Sequence, residues 1–187
     1  MRPLQTSVDY NMLIFVLSSL PMKNEIYLGL GSNMGDRLEN LQNAVQALAE
    51  KLENIRFSPI YESAAWGYED QPDFLNAALC GTTELPPQEL LKFAKEIEDR
   101  MGREPTFRNG PRVIDIDILL YGDQAFKEGR LEVPHPSLPL RTFVLQPLVD
   151  LSPELVPPGF SRSLKKLLAE FDQTKLHPQY EKQFEIS

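Results

Sequence analysis

Two aspartates stand one residue apart in a run that is otherwise mostly aliphatic, Gly110-Pro111-Arg112-Val113-Ile114-Asp115-Ile116-Asp117-Ile118-Leu119. On a strand, side chains alternate between faces. Asp115 and Asp117 then share one face, and Ile114, Ile116 and Ile118 turn the other way into a core. Two strand residues rise about 6.6 Å, so the two carboxylates can converge on one or two Mg²⁺ ions. Mg²⁺ prefers a few carboxylates, waters and substrate phosphate oxygens to a full protein cage. With no cation between them, two like charges on one face repel and raise a pKa. An isolated Asp-x-Asp is more often the polar face of a half-exposed strand. Here Arg100, Arg103, Arg108 and Arg112 lie just upstream. A guanidinium stays charged and can clasp phosphate oxygens through two parallel hydrogen bonds. Glu98, Asp99 and Glu104 also offer these arginines ordinary ion pairs. Arginines beside paired carboxylates suit an ATP–Mg²⁺ complex, in which positive charge stabilises a transferring phosphoryl group.

A second group of residues lies in Asp70-Gln71-Pro72-Asp73-Phe74-Leu75-Asn76. Phe74 and Asn76 share a strand face, and an aromatic platform beside an amide can stack on and hydrogen-bond a flat heterocycle. On its own the pair is more often a core aromatic and a strand-edge amide. His135 is flanked by Pro134 and Pro136, and a lone histidine is more often structural. Neither histidine has metal-ligand spacing to the other.

The elements that must position these groups read as follows. Residues 26–31 form a buried strand, followed by a helix over 38–52 with Leu38, Leu41, Val45, Leu48 and Leu52 at helical spacing and Asp36 at its N-terminus. Residues 55–61 form a second strand, 62–73 a loop, and 74–85 a third strand. Pro86-Pro87 opens a helix whose apolar stripe is Leu90, Leu91, Phe93, Ala94, Ile97 and Met101. An arginine-rich loop over 102–111 leads to a strand over 113–121 and a turn at Gly122-Asp123. A short strand at 131–133, a break at 134–136, a helix over 143–150, an amphipathic helix over 163–171 and a polar tail complete the chain. The order is βαββαβ with C-terminal additions, an α+β pattern of the ferredoxin-like type with helices packed on a mostly antiparallel sheet.

Bulk properties narrow the function classes. The 187 residues suit one domain, with residues 1–21 as an N-terminal extension or a misplaced start, 22–175 as the folded unit and 176–187 as a polar tail. The apolar run 12–17 is too short to span a bilayer and has little positive charge before it, so no membrane partner is expected. A net charge of −8 with no long basic run disfavours nucleic acid. The single cysteine, Cys80, allows no internal disulfide and is consistent with a reducing compartment. A cytoplasmic monomer is the expectation.

In order along the chain stand Leu30-Gly31-Ser32-Asn33, then Asp70–Asn76, Gly102-Arg103, Gly110–Leu119 and Val133-Pro134-His135-Pro136. Together these resemble the 6-hydroxymethyl-7,8-dihydropterin pyrophosphokinases of folate synthesis, over about residues 25–171. The resemblance implies transfer of pyrophosphate from ATP to the pterin hydroxyl with release of AMP. It implies two Mg²⁺ ions on Asp115 and Asp117. Arg103 and Arg112 become phosphate contacts and, with the two aspartates, the catalytic set. The resemblance places Glu98, Ile118, Arg130, His135 and Arg141 on the ATP side as well. It places Ser63, Ala64, Trp66, Phe74, Asn76 and Phe143 around the pterin, with Phe74 and Phe143 sandwiching its ring. No nucleophilic residue is implied, so catalysis is positioning and charge stabilisation.

The chain departs from the pattern in three places. Phe74 stands where one member has tyrosine, no arginine follows two residues after Arg103, and Asn109 replaces a tryptophan carried by some members. Nucleotidyl transferases also pair a Gly-Ser turn with Asp-x-Asp, but on a helix and the next strand. Here two further strands and a helix separate Gly31-Ser32 from Asp115. A ligand-binding module without catalysis leaves the arginine loop and the Asp pair unexplained.

Overall fold

The computed structural model describes residues 23–68, 70–104, 107, 109–171, 178–180 and 184. The N-terminal extension 1–21, Arg108 and most of the tail lie outside the described residues. A mixed sheet-and-helix fold is observed, in which β1 (Asn24–Ser32) is flanked on both sides by antiparallel partners. One is β4 (Phe74–Thr83) and the other is β5 (Asp115–Tyr121). Beyond β4 lie β2 (Glu53–Phe57) and β3 (Ile60–Ser63), both antiparallel to it. The path β5-β1-β4-β3 ends on β8 (Pro178–Tyr180). A separate hairpin is formed by β6 (Phe126–Glu128) and β7 (Leu131–Val133).

Helices α1 (Arg37–Leu48) and α2 (Pro87–Arg100) cover one face of this sheet. Their stripes, Leu41, Ala44, Val45 and Leu48 on α1 and Leu90, Ala94 and Ile97 on α2, meet Ile26, Leu28, Leu30, Leu75, Leu79, Ile116 and Ile118. Asp36 caps α1 by accepting the Glu39 N–H at 3.0 Å. The opposite face is only partly covered. There α3 (Thr142–Leu151), a short 3-10 turn (Leu138–Leu140) and α4 (Leu164–Leu168) bury Leu138, Leu145, Leu148, Leu164 and Leu167 against Tyr27, Ala78, Cys80, Leu119 and Leu120. Leu119 and Leu120 both serve this layer because the β1–β5 register shifts between Tyr27 and Leu28. A bulge puts two consecutive side chains on one side.

Several boundaries differ from the sequence expectation. The strand expected over 55–61 is two strands, because Pro59 has no N–H for a ladder. Ser58 bridges the gap: its N–H donates to Ala78 O and its hydroxyl accepts the Ala78 N–H, both at 2.9 Å. The metal-strand candidate begins at Asp115 instead of Val113, since Arg112 is held by the end of β1 through Asn33. Helix α4 stops at Leu168, well short of 171. Strand β6 and the tail strand β8 were not expected. Phe184 of that tail packs on Phe57 with ring centroids 4.8 Å apart.

Candidate active site

The uncovered part of the second sheet face is a cavity, and the strand register builds its floor. Asp115 lies opposite Gly31 and Asp117 opposite Gly29. On the other side of β1, Gly31 faces Asn76 and Gly29 faces Ala78. A row therefore runs Asp115, Gly31, Asn76 across three strands, with nothing but a hydrogen between the acid and the amide. A Cβ at Gly31 would stand 3.5 Å from Asn76 Oδ1, 3.6 Å from Phe74 Cδ1 and 4.0 Å from Asp115 Cβ. It would occupy the space in which those three groups meet.

The two acids differ in their surroundings. Arg103 Nη1 donates to Asp115 Oδ1 at 2.7 Å and Arg112 Nη1 to Oδ2 at 2.9 Å. Burial pushes the Asp115 carboxyl up, but the charges of Arg112 and then Arg103 outweigh it and hold the group below its ordinary range. Asp117 accepts no hydrogen bond and forms no ion pair among the described residues. Burial first, and then the Asp115 charge, raise it. One acid is thus neutralised by arginines in contact with it, and the other has no cation in contact among the described residues, with Lys95 and Arg112 acting on it only from further away.

Arg112 reaches further. Its Cζ lies 5.5 Å from the centre of the Phe74 ring, and its Nε is buried without a partner. Such a donor is costly unless an acceptor reaches it. Asn76 donates to Ser63 Oγ at 2.9 Å, which orients the amide. Across the cavity stand Phe143 and Arg141 from the start of α3, with Trp66, which is 54% exposed. Arg141 Cζ lies 5.6 Å from the Trp66 ring and 5.7 Å from the Phe143 ring. His135 completes the wall. Its Nδ1 accepts the Ser137 N–H at 3.2 Å, which in the neutral ring leaves the proton on Nε2.

The donor set can be tested against Mg²⁺. Among the described residues there is no cluster of three or more His, Cys, Asp or Glu able to hold a metal. Asp117 accepts no hydrogen bond among the described residues, and each Asp115 oxygen keeps a second lone pair. Two carboxylates, with water and ligand phosphate supplying the rest, fit Mg²⁺.

A model of the 7,8-dihydro-6-hydroxymethylpterin-pyrophosphokinase (HPPK) family matches residues 27–153, a span that holds every one of these cavity residues. The chain belongs to this family. The 2-amino-4-hydroxy-6-hydroxymethyldihydropteridine pyrophosphokinase of Aquifex aeolicus is 46% identical over 145 residues, covering 78% of this chain and 91% of that protein. The Pseudomonas aeruginosa protein of the same name is 43% identical over 152 residues, covering 79% and 92%. A crystal structure of Plasmodium falciparum HPPK-DHPS has the same fold, with a TM-score of 0.66 at 18% identity. It covers 83% of this chain, which spans 46% of that longer chain.

In this HPPK chain the cavity brings together Ser63, Ala64, Trp66, Phe74, Asn76, Arg112, Asp115, Asp117, His135, Arg141 and Phe143. Four expected residues do not line it. Arg103 stands behind Asp115, bound to it and to Glu98. Glu98 is only 2% exposed, because it serves the strand. It accepts the Ile116 N–H at 2.7 Å and pairs with Lys95 and Arg103, while Lys95 donates to Ile116 O at 3.1 Å. Burial raises the Glu98 pKa, and Lys95 opposes it. The Ile118 side chain is in the core on the helix side, since it alternates with Asp117. Arg130 is exposed in the β6–β7 turn.

The sequence expectation assigned no role to Asn33. It is 1% exposed and joins two loops. Its amide donates to Gln71 Oε1 and Pro72 O at 3.0 Å each, and its oxygen accepts the Arg112 N–H at 2.7 Å. Gln71 extends the joint by donating to Asn109 O at 2.8 Å, and Tyr68 meets Phe107 edge-on at 5.0 Å. The only local signal for Asn33 is a polar amide closing an apolar strand.

Proposed function

We propose that this chain transfers the diphosphate of ATP to the hydroxyl of 6-hydroxymethyl-7,8-dihydropterin and releases AMP. The pterin hydroxyl oxygen forms a bond to the β-phosphorus and gives up its proton. The bond from that phosphorus to the α,β-bridging oxygen breaks, and AMP takes the electron pair. The observation that supports this most directly is one cavity, in a family member, with an acid–arginine end and an aromatic–amide end separated by Gly31.

Asp115 and Asp117 would hold two Mg²⁺ ions, which when bound neutralise phosphate charge and bring the reacting oxygens into line. Arg112, with its unpartnered Nε, binds phosphate oxygens, and Arg103 keeps Asp115 ionised from behind. Arg141 and His135 offer further donors to the nucleotide. Phe74 and Phe143 hold the pterin ring between them. Asn76, fixed by Ser63, reads its polar edge, and Trp66 and Ala64 close the rim. With no nucleophile needed, rate enhancement comes from orientation and preset charge. The chain is read as a cytoplasmic monomer. No helix among the described residues is long and apolar enough to cross a membrane.

Incubation with ATP, Mg²⁺ and 6-hydroxymethyl-7,8-dihydropterin should yield AMP and pterin diphosphate in equal amounts. ADP would indicate simple phosphoryl transfer, and free pyrophosphate would indicate nucleotidyl transfer. Either product, or no turnover, would refute the reading.

A further inference from the structure

Helix α3 presents Arg141, Phe143 and Val144 to the cavity, yet it carries Pro147 in its interior. Proline has no N–H, so the Phe143 carbonyl four residues earlier loses its helical partner, and the ring crowds it. The turn bearing Phe143 is therefore joined to the rest of α3 by fewer backbone bonds than an unbroken helix supplies. The C-terminal end, in contrast, is tied to the sheet three times. Tyr27 Oη and Ser152 Oγ share a hydrogen bond of 2.8 Å, Arg56 donates to Leu151 O at 3.2 Å, and Tyr61 Oη donates to Asp150 Oδ2 at 2.6 Å.

The third tie also crosses the proline. Gln146 Nε2 donates to Asp150 Oδ1 at 3.0 Å, so one carboxylate links the residue before Pro147 to the turn after it. The Gln146 amide also acts on the Tyr61 hydroxyl, opposing the rise in its pKa. Tyr61 is buried in β3 opposite Asn76 and two residues from Ser63, the hydroxyl that orients Asn76. Phe143 and Asp150 are seven residues apart, two turns along the same side of the helix. Burial, and then the Asp150 hydrogen bond and charge, hold the Tyr61 hydroxyl above the usual phenol range. It keeps its proton and donates to the Asp150 carboxyl, whose pKa burial raises while the hydrogen bonds from Tyr61 and Gln146 oppose that rise.

We propose that Asp150, with Tyr61 and Gln146, is a positioning group for substrate: the trio spans the proline break and sets the gap between Phe143 on α3 and the Asn76–Ser63 pair on the sheet. This rests on the reading of the cavity as a pterin site. None of the three lines the cavity, so their influence passes through Phe143. The phosphate groups are held mainly by Arg112, Asp115 and Asp117 on β5 and the preceding loop, which the trio does not touch, with Arg141 the one nucleotide donor beside Phe143.

The test compares Asp150→Ala, Asp150→Asn and Tyr61→Phe, each with Phe143 intact and in a Phe143→Ala background. The readouts are the Kd for 6-hydroxymethylpterin, KM for both substrates, and thermal unfolding. Asp150→Ala should raise the pterin Kd about five- to tenfold, the scale of one ordinary intramolecular hydrogen bond, and leave the ATP KM within about twofold. Asp150→Asn still accepts from Tyr61 and should recover most of the affinity. In the Phe143→Ala background the Asp150→Ala penalty should vanish, because residues acting in series are non-additive. If Asp150→Ala does not fold, Tyr61→Phe carries the same comparison. An unchanged pterin Kd, with or without a lower Tm, overturns the proposal, as does an equal penalty in both backgrounds. A native protein that binds no pterin would overturn the functional reading beneath it.

Discussion

Replacing Asp117 with asparagine should make the protein more stable and nearly inactive. Asp117 lies beside Asp115, accepts no hydrogen bond among the described residues, and has its pKa raised by burial and then by the Asp115 charge. A carboxyl raised by folding carries no penalty below its ordinary pKa, where both states hold the proton. The penalty grows as pH rises from that ordinary value toward the folded pKa and is complete once the pH is above the folded pKa. Asparagine mimics the protonated form and removes it. Two charges about 6.6 Å apart on alternate strand residues repel by about 2.5 kcal/mol at an effective dielectric of about 20. Arg103 and Arg112 already neutralise much of Asp115, so about 1 kcal/mol should remain, a Tm gain of about 2–4 °C for a chain of this size. The gain should shrink as pH falls toward 4. Scanning calorimetry at several pH values measures it, and turnover should fall by several orders of magnitude. Mg²⁺ with an ATP analogue should raise the Tm of the native protein and leave the variant where it was. A variant that is less stable at neutral pH, or that keeps near-native turnover, would refute both the charge argument and the metal assignment.

Asn33→Ala removes three partly buried hydrogen bonds at about 1 kcal/mol each, so denaturant unfolding should show a loss of about 3 kcal/mol. Amide exchange should rise in residues 70–73 and 110–112. Gly31→Ala places its Cβ at ordinary contact distance from its neighbours, so the melting curve should hardly change while KM for the pterin rises several-fold. Glu98→Gln takes the buried counter-charge from Lys95 and one of the two from Arg103, which keeps Asp115. A stability loss of about 1–3 kcal/mol should appear in denaturant unfolding, with kcat falling because Asp115 and Asp117 are no longer held in place.

The acid pair and the Phe74–Asn76 pair are legible in the chain because strand alternation is a local property. So are the helix stripes of α1 and α2. What is not legible depends on pairing between distant segments. Nothing near Gly31 announces that it faces both Asp115 and Asn76; that follows only from the β1 register. Glu98 belongs to a helix stripe by position, and its role appears only once the Ile116 N–H lies against it. Asn33 is polar by type and central by contact. The Ser58-Pro59 break was readable in principle, since proline within a strand pattern argues for an edge or a bulge. The family likeness supplied roles for Trp66, Phe143 and Arg141 that no local pattern carries.

Strand β5 carries both acids and lies at the border of the sheet. Such a border normally exposes a row of unpaired backbone groups that can template pairing with another chain. Here Glu98 and Lys95 occupy the outward N–H and C=O of Ile116, midway between Asp115 and Asp117. The same two side chains that hold the acids in place thus also close the protein to intermolecular strand addition. His135 does the same further along, its N–H donating to Leu119 O at 2.9 Å, so losing Glu98 and Lys95 would uncover the stretch of border between the two acids and bear on solubility as well as activity.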